Sequence, residues 1–189
     1  MKRIKAKSSE GKKQRKNQLI IGTILIIVMF GSVFGVIVGS FGNQESSNSV
    51  NYNGFEFIRQ SNYWILEIGD FKFIFKYNPN EVQEIETEVK FLNNYNGKPL
   101  YISSENSGAT SEIVSNLNQI ALRIQNACLN ETTCEEDRPT KTCENNFIII
   151  RENNFTNIVQ EDNCVFIQGP QENLTMISDE FLFHILGVR

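Results

Sequence analysis

The spacing of apolar positions changes character several times along the chain. Residues 19–42 carry no charge, and residues 19–38 are dense in Ile, Val, Leu and Phe. About 20 apolar residues at a 1.5 Å rise cross the ~30 Å hydrocarbon layer of a bilayer. A helix is the open-chain solution there, because lipid offers backbone amides no partners. The pattern therefore predicts a transmembrane helix over 18–42. Residues 43–51 are polar and lack a period, which predicts a flexible linker.

From Tyr52 the period becomes two. Phe55 and Phe57, then Tyr63, Trp64, Leu66 and Ile68, then Phe71, Phe73 and Phe75 predict a three-stranded antiparallel meander over 52–77, with Gly69-Asp70 as a short turn. Across 71–76 the Phe residues share one face and Lys72 and Lys76 the other. Further strands are predicted at about 86–92 and 99–103, flanking a turn cluster at 93–97.

Ile113, Leu117, Ile120, Ile124 and Ala127 recur at spacings of three and four and predict one long amphipathic helix, with Ser107, Thr110 or Ser111 as its N-cap. A cysteine-bearing loop follows over 128–145. Apolar runs at 147–151, 155–160 and 164–168 predict a second small meander. Leu174, Ile177, Phe181 and Ile185 predict a last helix over about 172–186, stopped by Gly187. The order of elements predicts the α+β class: an N-terminal transmembrane helix followed by an extracytoplasmic domain over 52–189, made of antiparallel β-meanders and two amphipathic helices.

Charge fixes the orientation of this plan. The chain has 189 residues, with 18 Lys and Arg against 22 Asp and Glu, a net charge of -4. That near-balance hides opposite ends: residues 1–17 hold eight Lys or Arg against the single Glu10, and no further Lys or Arg appears before Arg59. Cytoplasmic flanks retain Lys and Arg, so 1–17 is predicted to be a cytoplasmic tail and 52–189 to lie outside the cytoplasm. A cleaved signal peptide fits less well, because the apolar run exceeds the usual ~7–15 residues and no A-x-A-like site follows it. A pilin-type leader lacks its cut site, since Arg15-Lys16-Asn17-Gln18 precedes the run. The basic tail is read as a topology signal touching anionic lipid, not as a nucleic-acid arm. Gly31, Gly35 and Gly39 form two overlapping G-x-x-x-G units on one helical face, the pattern that lets helices approach closely. Self-association or docking of a partner helix there is an expectation.

All four cysteines, Cys128, Cys134, Cys143 and Cys164, fall in the predicted outer domain. An even count outside the cytoplasm reads as two disulfides. Of three possible pairings, which the sequence does not decide among, the expected one is Cys128–Cys134 with Cys143–Cys164. The first closes a short loop after the helix. The second ties the loop to the start of the last strand, because the first and third strands of a meander begin at the same end. Zinc is disfavoured, since no pair has the C-x2-C form.

Candidate chemistry is sparse. His184, the one histidine, is read as a packed structural residue near the apolar edge of the last helix. Glu81, Glu84, Glu86 and Glu88 are read as a solvated run. The acidic loop residues Glu131, Glu135, Glu136 and Asp137 lack EF-hand spacing. Asn130, Asn154 and Asn173 head N-x-T triplets; about three are expected by chance at this Asn and Ser/Thr content, so they carry no signal. No catalytic residue, metal ligand or cofactor is assigned.

The run Asn126-Ala127-Cys128 through Lys141-Thr142-Cys143-Glu144-Asn145 to Asn163-Cys164-Val165-Phe166-Ile167, closing with residues 181–188, resembles small archaeal membrane-anchored proteins of unknown function. The resemblance covers the C-terminal third to half of the chain and implies no activity.

The functional expectation is a non-enzymatic cell-envelope or complex-assembly module that binds a protein partner and no nucleic acid. The alternatives are an accessory subunit of a membrane enzyme or transporter, a surface hydrolase using carboxylates, and a ligand- or glycan-binding surface. The last predicts a row of solvent-facing Phe residues or Trp64.

Overall fold

The computed structural model describes Gln18, residues 20–26, Val28, residues 48–129, Cys134 and residues 138–189. The chain divides into two compact units, residues 1–47 and 48–189. In the first unit the described residues are helical. No helix among the described residues is long and apolar enough to cross a membrane. Most of the expected span over 18–42 lies outside the described residues, as do the basic tail, residues 43–47 of the expected linker and the glycine series Gly31, Gly35 and Gly39.

The second unit is α+β, as expected. It opens with a four-stranded antiparallel meander in the order β1 (Ser49–Tyr52), β2 (Phe55–Gln60), β3 (Tyr63–Ile68) and β4 (Phe71–Phe75). The expected meander thus gains a strand, and the last residues of the expected linker belong to it. The cause is Asn53-Gly54, both at positive φ (49° and 85°). These angles suit the two-residue hairpin turn whose twist matches that of its strands.

The second sheet has five strands in the order β10 (Asn157–Glu161), β11 (Cys164–Gly169), β9 (Asn146–Glu152), β5 (Pro99–Ser104) and β6 (Arg123–Asn126). It is not the expected antiparallel meander. β9 pairs in parallel with both β11 and β5, β5 pairs in parallel with β6, and only β10–β11 is antiparallel. β10 returns outside β11 instead of lying between its neighbours in sequence. The reason is burial: Phe147, Ile148, Ile149 and Ile150 are all buried, and a continuous apolar run suits a central strand covered on both faces.

The expected long helix is shorter. α1 spans Ser107–Leu117, capped by Asn106, whose side chain accepts a hydrogen bond from the Ala109 N–H at 2.8 Å. Ile120 and Ala127 are buried but not helical, and Ile124 lies in β6. Past Leu117 the backbone is taken up by the residues around β5, with Gly97 N–H bonded to Ile120 and Leu122 N–H to Lys98. β5, α1 and β6 therefore form a parallel β-α-β unit.

The expected strand at 86–92 is not a strand. The stretch runs beside β10 but is held by side chains: Thr87 Oγ1 donates to the Ile158 carbonyl, and the Gln160 side chain accepts from Lys90 N–H.

α2 (Leu174–Ile185) forms where expected, and Gly187 follows it at φ 72°. It is buried on more than the expected stripe. Phe183 meets Phe57 and Phe75 of the first sheet, with ring centroids 5.7 and 4.9 Å apart. On its other side Ile177 lies against Gly169 of β11, where a Cβ would fall 2.2 Å from Ile177 Cδ1. A helix buried between two sheets must be apolar nearly all round, and Ile177, Phe181, Leu182, Phe183 and Ile185 satisfy this. A two-stranded ribbon of β7 (Cys128–Leu129) and β8 (Thr140–Lys141) completes the fold.

Candidate interaction surface

The structure joins Cys128 to Cys134 and Cys143 to Cys164, with Cα separations of 5.9 and 4.9 Å. The starts of β9 and β11 are adjacent because the two strands pair directly in parallel, with Cys164 opposite Phe147. Cys143 and Cys164 join Tyr101, Ala127, Phe147, Ile149, Leu129 and Phe166 in a small second core on the face of the five-stranded sheet away from the helices. The Tyr101 phenol accepts from Arg123 at 3.3 Å, and Lys141 Nζ lies 4.7 Å from its ring. The Arg123 hydrogen bond lowers the phenol pKa against the opposing effect of burial, and Lys141 adds to the lowering.

The interior holds an acidic network that the sequence reading did not single out. Asp179 and Glu180 of α2 are fully buried, and Glu112 of α1 nearly so. Asp179 Oδ2 accepts from Tyr77 N–H at 2.9 Å, and its other oxygen has no donor among the described residues. Burial pushes the Asp179 carboxyl well above the usual carboxylate range, and the neighbouring Glu112 charge adds to this. Burial raises Glu112 as well. Two carboxyls so placed each favour the protonated form of the other.

Next to them, Glu180 accepts from Ile85 N–H at 3.0 Å and pairs with Arg189 through its other oxygen. His184 Nε2 lies 3.2 Å from Glu180 Oε1, the packed position expected of it. Arg189 also donates to the carbonyls of Pro79 and Val82. Burial opposes its charge, and the Glu180 hydrogen bond and charge more than offset this, so its pKa lies above the ordinary value. These groups fasten the irregular segment that follows β4 onto α2. Glu81 contributes by accepting from Trp64 Nε1 and Asn78 N–H, while Glu84, Glu86 and Glu88 are exposed. Converging carboxylates are thus present, but inside the core and not in an open cleft.

The outward face of the first sheet has a different character. Cross-strand partners share a face, and the register sets Ser49, Ile58, Ile65 and Ile74 in one row across the four strands. Ile58 and Ile74 are 44% and 36% exposed. On one side of this row the same face carries Glu56, Glu67 and Lys72, the last two being cross-strand partners. On the other side it carries Gln60 and its partner Tyr63, which is 50% exposed. A shallow dent of about 210 Å³ lies among Glu56, Ile58, Ile65 and Glu67. The expected row of solvent-facing Phe or Trp64 is not found: Phe57, Trp64, Phe73 and Phe75 all point inward and are buried. The exposed large hydrophobic groups of this face are Ile58, Ile74 and Tyr63. The alternation of 71–76 located the face, but nothing in the pattern distinguished a bare outer row from a covered one.

The Asn154 triplet is exposed and so is Asn173, although Leu174 beside it is buried, whereas Asn130 and the acidic loop residues Glu131, Glu135, Glu136 and Asp137 lie outside the described residues. No known protein family, curated protein or solved structure matches the chain.

Proposed function

We propose that this chain is a single-pass membrane protein, anchored by residues 18–42 with its N-terminus in the cytoplasm, whose disulfide-stabilised domain outside the cytoplasm is a non-catalytic interaction module. The observation that carries the reading is the pair of exposed isoleucines Ile58 and Ile74, which flank the buried Ile65 in one row on the outer face of the first sheet. Apolar groups set contiguously on a surface mark contact sites, and the acidic and basic residues beside the strip supply the polar rim usual around such sites. Two disulfides support an oxidising compartment, and the basic tail ahead of an uncharged run supports the anchor and its direction.

The test has two arms. After reduction, a membrane-impermeant thiol reagent labels the four cysteines in intact cells. Labelling only after lysis rejects the outward placement. A photo-crosslinking residue at position 58 gives discrete adducts with a protein, whereas the same residue at exposed Glu172 gives none. Equal yields at both positions reject the surface assignment.

A further inference from the structure

We propose that the partner of the outward face of the first sheet is a second copy of the same chain, docked face to face about a two-fold axis running along β3. The proposal rests on the reading of this face as an interaction surface, and the arrangement of its charges selects the occupant.

A two-fold axis along β3 keeps each cross-strand row in place and exchanges the strands on either side. β2 then lies over β4 of the second copy, and β3 lies over itself. In the apolar row, Ile58 meets Ile74 of the second copy twice, and the two contacts flank the buried Ile65 on the axis. In the charged row, Glu56 meets Lys72 of the second copy, again twice. These two residues stand on opposite flanking strands of the same face, which is what a self-complementary contact requires: residue i meets j while j meets i. The Glu67 side chains approach near the axis, and each has Lys72 as its cross-strand neighbour. The dent beside Glu56, Ile58, Ile65 and Glu67 lies on the β2 side, beneath the Ile74 and Lys72 side chains brought over from the second copy. Two twisted sheets packed face to face settle about 30° apart, an angle reached when the axis is tilted by about 15° from β3.

An axis along the rows would instead set Lys72 over Lys76 of the second copy and Glu56 over Gln60, which loses both ion pairs. The charges therefore choose one of the two symmetric dockings.

Size sets the strength. The three strands that overlap, about 4.8 Å apart and some 17–20 Å long, present roughly 270 Å² per copy. Stable interfaces use about 800 Å² per partner. The contact is accordingly reversible and gains from any tether that raises the local concentration.

The experiment uses the full chain in native membranes. Tyr63 lies on β3, so Tyr63→Cys sets two thiols against each other at the axis. Gln60→Cys adds a sideways offset of roughly 10 Å, two strand spacings across the sheet. With a short bifunctional thiol crosslinker that spans the ~10 Å between stacked sheets, Tyr63→Cys is expected to give at least fivefold more covalent dimer than Gln60→Cys. Lys72→Glu is expected to reduce that yield severalfold, and adding Glu56→Lys in the same chain to restore it. No dimer at position 63, equal yields at 60 and 63, or no restoration by the charge exchange overturns the proposal. If the photo-crosslinker at position 58 captures only a different protein, the second copy is rejected while the surface reading stands.

Discussion

The side-chain amide of Asn116 makes both hydrogen bonds that a further strand would make to Ile74: Oδ1 accepts from its N–H at 2.7 Å, and Nδ2 donates to its carbonyl at 2.7 Å. Ile74 lies on β4, the outer strand of the meander, whose free backbone groups would otherwise offer a template for pairing with another chain. Gln119, just past α1, extends the same device by donating to the Lys72 carbonyl at 2.9 Å. One helix end thus blunts a sheet edge while leaving the sheet's outer face bare.

Asn116→Ala leaves two backbone groups of β4 without partners next to a buried position. The expected cost is about 2–4 kcal/mol of unfolding free energy. Gln119→Ala, at an exposed site, is expected to cost under about 1 kcal/mol. Urea denaturation of both variants checks the contrast, and equal midpoints would show that Asn116 does not carry the edge.

The buried carboxyl pair predicts a pH effect of definite sign. Asp179 has a raised pKa in the folded protein, so the folded state holds its proton more tightly than the unfolded chain. That contribution to stability is present below the unfolded pKa, about 4, and is lost as pH rises through the folded value. Asp179→Asn keeps an acceptor for Tyr77 N–H and offers a donor to Glu112. It is expected to lessen the loss of stability between pH 5 and pH 8, measured as urea midpoints at the two pH values. An unchanged slope would mean that this pair does not titrate in that range.

Arg189 neutralises a fully buried carboxylate and holds two carbonyls of the segment after β4. Arg189→Ala removes the cationic partner of buried Glu180, leaving it the Ile85 N–H and His184, and is expected to cost about 3–5 kcal/mol. Glu180→Gln in the Arg189→Ala background removes the stranded charge and should recover part of that loss. Thermal melting of the single and double variants decides the point.

The two disulfides are expected to contribute unequally. They span 21 and 6 positions, and in the chain-entropy account the longer loop contributes about 3 kcal/mol against about 2 for the shorter. Paired Cys→Ser variants give the ranking directly. Proteolytic susceptibility should rise more in the variant lacking Cys143–Cys164, since that bridge is part of the second core.

Several elements were legible from local pattern alone. The Phe71–Phe75 strand showed its two faces in strict alternation, and α2 showed its inward stripe and its glycine stop. The β1 strand was legible too, through Asn53-Gly54, but its residues Ser-Val-Asn-Tyr look like linker until the turn is recognised. The parallel centre of the second sheet left a different trace: Phe147, Ile148, Ile149 and Ile150 in succession signal burial on both faces, not alternation in a meander. The stripe from Ile113 to Ala127 misled because buried residues of a helix, a turn and a strand fell by coincidence at helical spacing. The acidic network was hidden for a physical reason. Asp179 and Glu180 follow Ser178 inside an apolar helix, and only tertiary packing shows that their side of that helix is buried. The outer isoleucine row was equally hidden, since alternation specifies two faces of a strand but not what covers the second.

The aromatic inner face of the meander is completed by residues made much later. Phe183 closes over Phe57 and Phe75, and Asn53 is tied to the Val188 carbonyl across 135 positions. During vectorial synthesis the first hairpins therefore emerge with their greasy side uncovered for more than a hundred residues, and loop-closure entropy delays the lid further. The nascent domain is most prone to clumping in that interval. Its yield in a heterologous host should accordingly respond to holdase supply and to elongation speed more than to the stability of the finished molecule.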